Sequence, residues 1–240
     1  MSISSAMILA AGFGKRMRPL TLERPKPLIE VAGMPLIDHV MARLRAHGVR
    51  KAVVNMHWLA GQIAAWAAGQ TPPPEILLSD ESDEILETGG GLKKALPLLG
   101  KETFFALNSD SFWLDGETPA LSRLAAAWDD ARMDCLVLTA PLERAVGYAG
   151  KGDFVIDPQG RIIRAPGGEG AQAFTGVYAV HPRLFAHAPE GAFSMNVLFD
   201  AAMTQGRMYG ISHDGLWLHV GTPQAIGVAE GAMREWNARA

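Results

Sequence analysis

Five positively charged side chains follow the first apolar run of the chain, which ends at Ala11. They lie within twelve positions that contain a single acid, Glu23, and they are Lys15, Arg16, Arg18, Arg24 and Lys26. Gly12 and Gly14 stand between the apolar run and these cations, and glycine amides can lie bare against a bound anion. The residue types and their spacing therefore predict a loop that binds a small anionic ligand.

Two common phosphate-binding loops are excluded by the residues that follow these glycines. The spacing is Gly-x-Gly-x-x-Met, so the third glycine of the dinucleotide-binding fingerprint is missing. A Walker loop is missing as well, because no Gly-Lys-Ser or Gly-Lys-Thr occurs there. A dinucleotide-dependent oxidoreductase is therefore disfavoured. The two glycines alone do not identify the ligand.

The composition is that of an ordinary globular protein. The chain has 240 residues, of which 48% are hydrophobic and 20% charged, and its formal net charge is −3. A chain of this length can bury a large core. Proteins that bind nucleic acid in general carry a surplus of positive charge, so the slight acidity argues against that class. The only cysteine, Cys135, cannot form an internal disulfide, and its apolar neighbours predict a packing role in the core.

The apolar runs are too short to indicate a membrane protein. None approaches the roughly 18 to 20 apolar residues that a membrane-spanning helix needs. The earliest run is too short for a secretory signal, and its charges follow it instead of preceding it. We therefore expect a cytoplasmic protein, with no membrane association and no obligate protein partner evident.

Short apolar runs alternate with helical patterns over the first 144 residues. The predicted strands are residues 6–11, 49–55, 75–80, 103–110 and 134–140, and the predicted helices are residues 36–48, 58–69, 90–100 and 119–131. Buried runs without alternation, separated by helices, predict a parallel sheet that is covered on both faces. With right-handed crossovers, this pattern gives a doubly wound, mostly parallel α/β architecture of the Rossmann-like kind.

The pattern changes at about residue 145, where glycine and proline become frequent and the apolar runs become short and alternating. This change predicts a small antiparallel lobe, followed by a helix at 191–206, strands within 207–222 and a closing helix at 223–240. We expect one domain over residues 1–240, with residues 1–144 and 145–240 as its two parts. Ligands of such sheets bind at the carboxyl ends of the strands, and both the glycine loop and Asp110 fall there.

Longer strings of residues are more specific than the glycine spacing. They are LAAGFGKRMRPLT at 9–21, PKPL at 25–28, ETGGG at 87–91, NSD at 108–110 and VGTP at 220–223. Together they resemble the motifs of the sugar-1-phosphate nucleotidylyltransferases, the enzymes that join a nucleoside triphosphate to a sugar phosphate. The resemblance spans nearly the whole chain. Among the subgroups, the chain is most similar to the N-acetylmuramate-1-phosphate uridylyltransferases of cell-wall sugar recycling, on the strings at 35–49, 86–100 and 191–202.

The resemblance implies how the chain binds and activates its nucleotide. The implied nucleotide-binding residues are Ala11, Gly12, Gly14, Lys15, Arg16, Lys26, Thr88 and Gly89. Of these, Arg16 would hold the outer phosphates and Lys26 would contact the reacting phosphoryl oxygens, so both are expected to be catalytic. Both reactants are anionic, and a cation about 4 Å away offers roughly 4 kcal/mol of Coulomb attraction at surface-like dielectric. Thr88 and Gly89 would read the nucleobase, since glycine-rich backbone lets a flat base approach closely.

A magnesium site at Asp110 is also implied by the resemblance. Relatives usually carry a second metal-binding aspartate before the VGT string, whereas this chain has His219 at that place. Imidazole suits Mg²⁺ poorly and softer ions better. Three arrangements stay open: Asp110 and the phosphates hold the metal alone, His219 completes a site that tolerates Mn²⁺, or His219 meets the phosphates directly. We favour the first.

The sugar is the least determined part of the prediction. The resemblance implies sugar contacts from Gly152, Asp153 and Thr175, but the family's Glu-Lys-Pro motif is replaced by RAPGGEG at 164–170. The expected substrates are UTP and N-acetylmuramate 1-phosphate. A mannose-1-phosphate guanylyltransferase and a glucose-1-phosphate thymidylyltransferase remain alternatives within the class. A non-catalytic nucleotide-binding regulator is the alternative outside it, and the joint presence of Arg16, Lys26 and Asp110 argues against that alternative.

Overall fold

The computed structural model describes residues 3–238 of the chain. Its strands are β1 (Ser5–Leu9), β2 (Glu30–Val31), β3 (Met34–Pro35), β4 (Lys51–Met56), β5 (Glu75–Asp80), β6 (Phe104–Asn108), β7 (Ser111–Leu114), β8 (Cys135–Ala140), β9 (Ala145–Val146), β10 (Phe154–Ile156), β11 (Ile162–Arg164), β12 (Ala173–Val180), β13 (Met208–Ser212) and β14 (Leu216–His219). Its α-helices are α1 (Leu36–His47), α2 (Ala60–Ala68), α3 (Glu87–Leu99), α4 (Ala120–Ala127), α5 (Asn196–Thr204) and α6 (Pro223–Asn237). Short 3-10 helices cover Lys15–Met17, Leu20–Leu22, Lys26–Leu28, Leu142–Arg144 and Pro182–Phe185.

A seven-stranded sheet in the described part of the chain has the order β13-β8-β12-β6-β1-β4-β5. Neighbouring strands run parallel except at β12, which is antiparallel to both β6 and β8. The predicted mostly parallel sheet is therefore confirmed. The strands β7, β14 and β9 form a smaller sheet in that order, and β10 and β11 pair as a hairpin.

Both faces of the main sheet are covered by helices, as the uninterrupted apolar runs predict. Successive residues of a strand point to opposite faces, and Met7 and Ile8 of β1 are each fully buried in a different core cluster. The cluster around Ile8 includes residues of α1, α2, α4 and α6, whereas the cluster around Met7 includes residues of α3 and α5. A parallel strand in this position must be apolar on both sides, which is why its sequence shows no alternation.

The second part of the chain is less separate than its sequence pattern predicts. The expected antiparallel pairing is present in the hairpin β10-β11 and in the direction of β12. However, β12 lies inside the main sheet between β6 and β8, and β13 forms one edge of that sheet. Strand β12 suits this inner position because both of its faces are buried. Val177 and Tyr178, which point to opposite faces of the sheet, are 1% and 2% exposed.

Helix boundaries follow local chemistry. Helix α1 ends at Gly48, whose φ of +86° is the left-handed conformation that glycine adopts without strain. Helix α3 begins at Glu87, three residues before its predicted start at Gly90, so the three glycines at 89–91 all lie within its first turns. Cys135 is fully buried as predicted, and burial raises the pKa of its thiol well above the usual value.

Among residues 3–238, no helix combines the length and apolarity needed to cross a membrane.

Candidate active site

A cavity of about 510 Å³ opens at the carboxyl ends of four neighbouring strands. Its walls include Ala10 after β1, Asn55 near the end of β4, Glu81 after β5 and Ser109 after β6. Four neighbouring strands enclose three spacings of about 4.8 Å each, so the cavity extends over about 14 Å. This is the edge at which the sequence predicts ligand binding.

The predicted glycine loop forms one wall of this cavity. Ala11, Gly12, Gly14, Lys15 and Arg16 all line it. Gly14 has a φ of +60°, and a Cβ there would lie 2.8 Å from the Cγ2 atom of Thr21 and 3.0 Å from the Cβ atom of Lys26. Gly14 therefore allows the loop to close tightly on the segment that follows it. At Gly12, by contrast, a Cβ would meet no atom within 4 Å.

The two glycines give a matched pair of variants. We expect Gly12→Ala to fold normally but to lose at least about tenfold in activity, because its methyl group would occupy space inside the binding loop. We expect Gly14→Ala to be destabilised by about 1–3 kcal/mol, because it combines a left-handed backbone with contacts to Thr21 and Lys26. Thermal unfolding and pyrophosphate release separate the two effects. An unchanged activity for folded Gly12→Ala would show that no ligand approaches this amide.

Lys26 is held at the centre of the cavity by its own local structure. It begins a short 3-10 helix directly after Pro25, whose ring fixes the backbone φ, observed at −63°. Lys26 is only 8% exposed, and its Nζ atom donates to the Oδ2 atom of Asp110 at 3.0 Å. The loop after β1 and the end of β6, 84 residues apart in sequence, thus meet in one ion pair.

The electrostatics around Asp110 favour its ionised form. Burial by itself would raise the pKa of the Asp110 carboxyl, but the charges of Lys26, His219 and Arg16 outweigh it, so that the pKa lies below the usual value. The Asp110 side chain keeps 31% of its surface exposed. A charged carboxylate with free oxygen lone pairs therefore faces the cavity.

His219 ends β14, and its pairing with Ser111 of β7 brings it close to Asp110. Burial lowers the pKa of His219, and the charges of Lys26 and Arg16 lower it further against the opposing effect of Asp110. These effects together favour the neutral form of the ring. Its Nε2 atom lies 2.6 Å from the place where a Cβ on Gly221 would be, so the ring packs closely against Gly221 in the cavity wall.

The remaining cations of the opening loop differ in their surroundings. Arg16 is exposed and lines the cavity, and its Nη1 atom lies 3.4 Å from the place where a Cβ on Gly221 would be. Lys15 lines the cavity as well, and its Nζ atom lies 5.4 Å from the ring centroid of Phe13. Arg24 instead pairs with Glu30 at 3.2 Å on the exposed surface. Of the five cations, Lys15, Arg16 and Lys26 thus line the cavity, whereas Arg18 and Arg24 are exposed outside it.

The surroundings of Asp110 fit a magnesium ion whose other ligands come from the bound substrate and from water. Within residues 3–238, no group of three or more His, Cys, Asp or Glu side chains could hold a metal ion by itself. Mg²⁺ commonly uses one or two carboxylates together with substrate phosphates and water. A single accessible carboxylate beside a phosphate-binding loop provides that kind of partial site.

The end of the cavity over β4 and β5 is built differently. Asn55 and Glu81 are 2% and 1% exposed, and the Asn55 Nδ2 atom donates to the Glu81 Oε1 atom at 2.7 Å. Sequence reasoning missed both residues. The sequence signal that could have identified them is their position at the carboxyl ends of two predicted strands. Their residue types match no motif, so this signal alone was weak.

Thr88 and Gly89, the residues expected to read the base, have different places. Thr88 lines the cavity, and its hydroxyl accepts a hydrogen bond from the Met195 amide at 2.8 Å. The Gly89 amide donates to the Phe193 carbonyl at 2.8 Å, and a Cβ on Gly89 would lie 2.3 Å from the Phe193 ring. Gly89 thus serves helix packing, and its amide is not free to meet a base. The expected contact of Gly89 with the base stays a prediction.

A second cavity of about 200 Å³ adjoins the first on the side of β12. The two share Thr88, Asn108 and Ser194 in their walls. The other residues of the second cavity are Phe174, Tyr178, Met195, Asn196 and Phe199. The walls of this second cavity thus combine three aromatic with four polar side chains, and the cavity lies next to the end of β6, close to Asp110.

The expected sugar-binding residues lie outside the walls of both described cavities. Thr175 is 1% exposed, and its hydroxyl donates to the Leu138 carbonyl at 2.7 Å, so it holds β12 against β8. A Cβ on Gly152 would lie 2.7 Å from the Cβ atom of Ala171, so Gly152 is fixed by close packing. Neither Thr175 nor Gly152 lines a described cavity, and their expected contacts with the sugar stay a prediction.

Asp153 is also committed to the protein. Its Oδ2 atom accepts hydrogen bonds from the Tyr148 hydroxyl at 2.9 Å and from the Phe174 amide at 2.8 Å. Phe174 is a wall residue of the second cavity, so Asp153 supports that wall from behind. Its expected direct contact with the sugar stays a prediction.

Known proteins with similar sequences and folds agree with this arrangement. The sequence profile described as nucleotidyl transferase matches residues 5–235. The chain is 42% identical over 234 residues to an N-acetylmuramate alpha-1-phosphate uridylyltransferase of Caulobacter vibrioides, covering 96% of this chain and 97% of that protein. It is 34% identical over 234 residues to the protein of the same name from Neisseria meningitidis serogroup B, covering 97% and 99%.

The fold is similar to that of HddC from Yersinia pseudotuberculosis, solved in complex with GMP-PN. The TM-score is 0.78 at 21% identity, over 96% of this chain and all of that chain. The profile match includes the glycine loop, Lys26, Asp110 and Gly221, so the residues that line the cavity lie within the matched region. With its cavity residues and nearly all of its length inside that match, the chain belongs to the nucleotidyl transferase family.

Proposed function

We propose that the chain transfers the uridylyl group of UTP to N-acetylmuramate 1-phosphate, giving UDP-N-acetylmuramate and pyrophosphate. The names of the two relatives with near full-length matches support the choice of substrates. The observation that supports the chemistry best is the Lys26–Asp110 pair at 3.0 Å beside the glycine loop. It puts a buried cation and an accessible carboxylate at the part of the cavity suited to phosphates.

The reaction needs no nucleophilic side chain. A phosphate oxygen of the sugar 1-phosphate forms a bond to the α-phosphorus of UTP, while the bond from that phosphorus to the leaving pyrophosphate breaks on the opposite side. A phosphate monoester is largely dianionic near neutral pH, so the attacking oxygen needs no general base. What opposes the reaction is the repulsion between two anions.

The cavity cations would offset this repulsion. Lys26 has little freedom to move, since Pro25 precedes it and its stem packs against Gly14. Preorganised charges of this kind stabilise a transition state without reorganising as the reaction proceeds. Arg16, which is exposed at the mouth of the loop, would hold the outer phosphates that leave as pyrophosphate.

Asp110 would hold Mg²⁺ together with phosphate oxygens. The ion would neutralise phosphate charge when bound. Burial lowers the pKa of His219 and favours its neutral form, and we assign it no ligand role toward Mg²⁺, because imidazole suits softer ions better.

The second cavity, beside Asn108, would receive the sugar. It adjoins the end of β6, so a sugar there could present its phosphate toward Asp110 and Lys26. UTP is a cytoplasmic metabolite, and we propose that the reaction takes place in the cytoplasm. Its product would return a recovered cell-wall sugar to peptidoglycan synthesis.

The proposal is tested by measuring pyrophosphate release from a panel of substrates. Purified protein is incubated with UTP, CTP, GTP, dTTP or ATP, each with the 1-phosphates of N-acetylmuramate, N-acetylglucosamine, glucose and mannose, in Mg²⁺ or Mn²⁺. We expect release with UTP and N-acetylmuramate 1-phosphate to exceed every other pair. Faster release from GTP with mannose 1-phosphate, or from dTTP with glucose 1-phosphate, would assign a different substrate pair. Nucleotide binding without release in any pair would indicate a regulator.

A further inference from the structure

Phe13 stands between the two glycines of the opening loop, but its side chain is not part of the cavity that the loop lines. Gly12, Gly14 and Lys15 all lie in the cavity wall, whereas Phe13 lies in the walls of neither described cavity. Phe13 is half-buried. A loop that wraps an anion uses its amides and its cations, so the aromatic ring requires another reason.

The Phe13 ring packs against the segment between β4 and α2. Its centroid lies 5.2 Å from that of the His57 ring, in an edge-to-face arrangement, and 5.7 Å from that of the Trp58 ring. Both distances lie within the range that aromatic pairs prefer. The Lys15 Nζ atom lies 5.4 Å from the Phe13 centroid, which is close enough for a cation–π contact. Phe13 therefore connects the segment after β4 with one of the cavity cations.

Trp58 makes a second contact with the same loop. Its Nε1 atom donates to the Thr21 carbonyl at 2.8 Å, and the Thr21 hydroxyl donates to the Gly14 carbonyl at 2.9 Å. Gly14 packs so closely on Thr21 and Lys26 that a Cβ there would lie within 3.0 Å of both side chains. The Trp58 indole is thus connected to the glycine loop and to Lys26, although it lies in neither cavity wall.

The segment that carries His57 and Trp58 is itself fixed in place. The His57 Nδ1 atom donates to the Glu81 carbonyl at 2.6 Å, which sets the orientation of the ring that Phe13 contacts. Leu59 has a φ of +52°, a left-handed conformation that a leucine keeps only where the surrounding structure requires it. Ile63, in the first turn of α2, is fully buried in the core. The segment is therefore a firm support for the loop.

The composition of the loop explains why it needs a support. Glycine loses more conformational freedom on folding than any other residue, and the loop has glycines at positions 12 and 14. Lys15 and Arg16 are exposed neighbours of like charge, so they repel each other. A protein whose binding-competent form is only partly populated binds its ligand more weakly by that fraction. Contacts that hold the loop in one form therefore strengthen binding.

We propose that Phe13 and Trp58 are positioning residues, which hold the glycine loop and Lys15 in the form that binds the outer phosphates of the nucleotide. The proposal rests on the proposed function, because it assumes that this loop binds a nucleoside triphosphate. Neither ring lies in a described cavity wall, so both act through the loop. Their effect should therefore be largest for a ligand with outer phosphates, such as UTP, and small for UMP, which lacks them.

The first test compares the binding of UTP and UMP by calorimetry, in Mg²⁺ and without any sugar phosphate. Phe13→Ala removes both ring contacts, and each such contact corresponds to a factor of about 2 to 13. We expect this variant to bind UTP about tenfold more weakly and UMP less than about threefold more weakly. Phe13→Tyr keeps the ring and should keep the wild-type ratio of the two affinities. A purely structural role would weaken the binding of both nucleotides equally.

Trp58 is tested with a matched control from the same part of the fold. Trp58→Phe keeps an aromatic ring and removes the donor to the Thr21 carbonyl, so we expect the ratio of UTP affinity to UMP affinity to fall about fivefold. Trp66→Phe removes the same kind of donor from α2, where the Trp66 Nε1 atom donates to the Asp38 Oδ1 atom at 2.9 Å. This control should affect thermal unfolding in a similar way and leave the ratio unchanged.

The order of the loop is measured separately by trypsin cleavage of the ligand-free protein. Trypsin cuts after lysine and arginine, and cleavage of a folded protein requires local opening of the chain. The bonds after Lys15 and Arg16 lie in the loop. We expect Phe13→Ala to be cut at these bonds about tenfold faster than the wild-type protein, as followed by mass spectrometry, because the open form is more populated.

An unchanged ratio of UTP to UMP affinity in folded Phe13→Ala or in folded Trp58→Phe would overturn the proposal for that residue. Wild-type cleavage rates after Lys15 and Arg16 in Phe13→Ala would overturn it as well, as would wild-type protein that binds UTP no more tightly than UMP. If Phe13→Ala does not fold, Trp58→Phe decides by the same ratio. None of these measurements uses a sugar phosphate. Absence of pyrophosphate release with N-acetylmuramate 1-phosphate would therefore contradict the proposed function without affecting them.

Discussion

Replacing Lys26 by alanine lowers turnover by at least about 10²- to 10³-fold while the protein stays folded. The lysine contributes a preorganised positive charge at the reacting phosphates, and the substitution removes it. Asp110 loses its close partner, but 31% of its side chain is exposed, so water can solvate the carboxylate. Pyrophosphate release measures the loss of turnover, and thermal unfolding verifies the fold.

Two further variants identify the cause of that loss. Lys26→Met keeps the buried stem and removes only the charge, so it should be as inactive as Lys26→Ala. Arg24→Ala removes a cation of the same loop that pairs with Glu30 on the surface, and it should keep nearly full activity because exposed ion pairs contribute little. Near-native turnover in Lys26→Met would contradict the role of the charge.

Asp110→Asn is the second variant with a large expected effect. The substitution keeps the size of the side chain and removes its negative charge. We expect turnover to fall by about 100-fold or more, because the metal contribution to phosphate transfer is several kcal/mol. We also expect half-maximal activity to require more Mg²⁺, which a titration of pyrophosphate release against Mg²⁺ concentration measures.

The control for this variant is Asp83→Asn, which removes an exposed carboxylate between β5 and α3. It should leave both turnover and Mg²⁺ dependence unchanged. If Asp110→Asn kept the wild-type response to Mg²⁺, Asp110 would not hold the ion. A fall in turnover without a change in Mg²⁺ dependence would assign Asp110 to the positioning of Lys26 instead.

The parallel half of the sheet can be predicted from the sequence because each of its strands is an isolated apolar run. The run at residues 75–80 predicts a strand, and β5 is Glu75–Asp80. Helix α1 likewise ends at Gly48, as the glycine predicts. These boundaries depend on local chemistry, which a sequence displays directly.

The place of β12 cannot be predicted in the same way. Its glycine-containing sequence favours a peripheral antiparallel lobe, but strand order depends on contacts between distant segments. The β12 register shifts between Phe174 and Val177, and this irregularity accompanies the inward turn of Thr175. A motif alignment gives the position of Thr175 along the chain but not the direction of its side chain.

The end of the cavity that contains Lys26 and Asp110 is predictable from the sequence, whereas the end over β4 and β5 is not. Arg16, Lys26 and Asp110 belong to specific strings, and the structure brings all three to one cavity. Glu81 lies in an acidic segment, where one buried carboxylate cannot be told from its exposed neighbours by sequence alone. Only the hydrogen bonds from Asn55 and Leu86 distinguish it.

A crystal structure with a non-hydrolysable UTP analogue and Mg²⁺ tests the central claim most directly. We predict the triphosphate between the glycine loop and Lys26, with Mg²⁺ on Asp110. A triphosphate bound away from Arg16 and Lys26 would contradict the assignment of this cavity as the catalytic site.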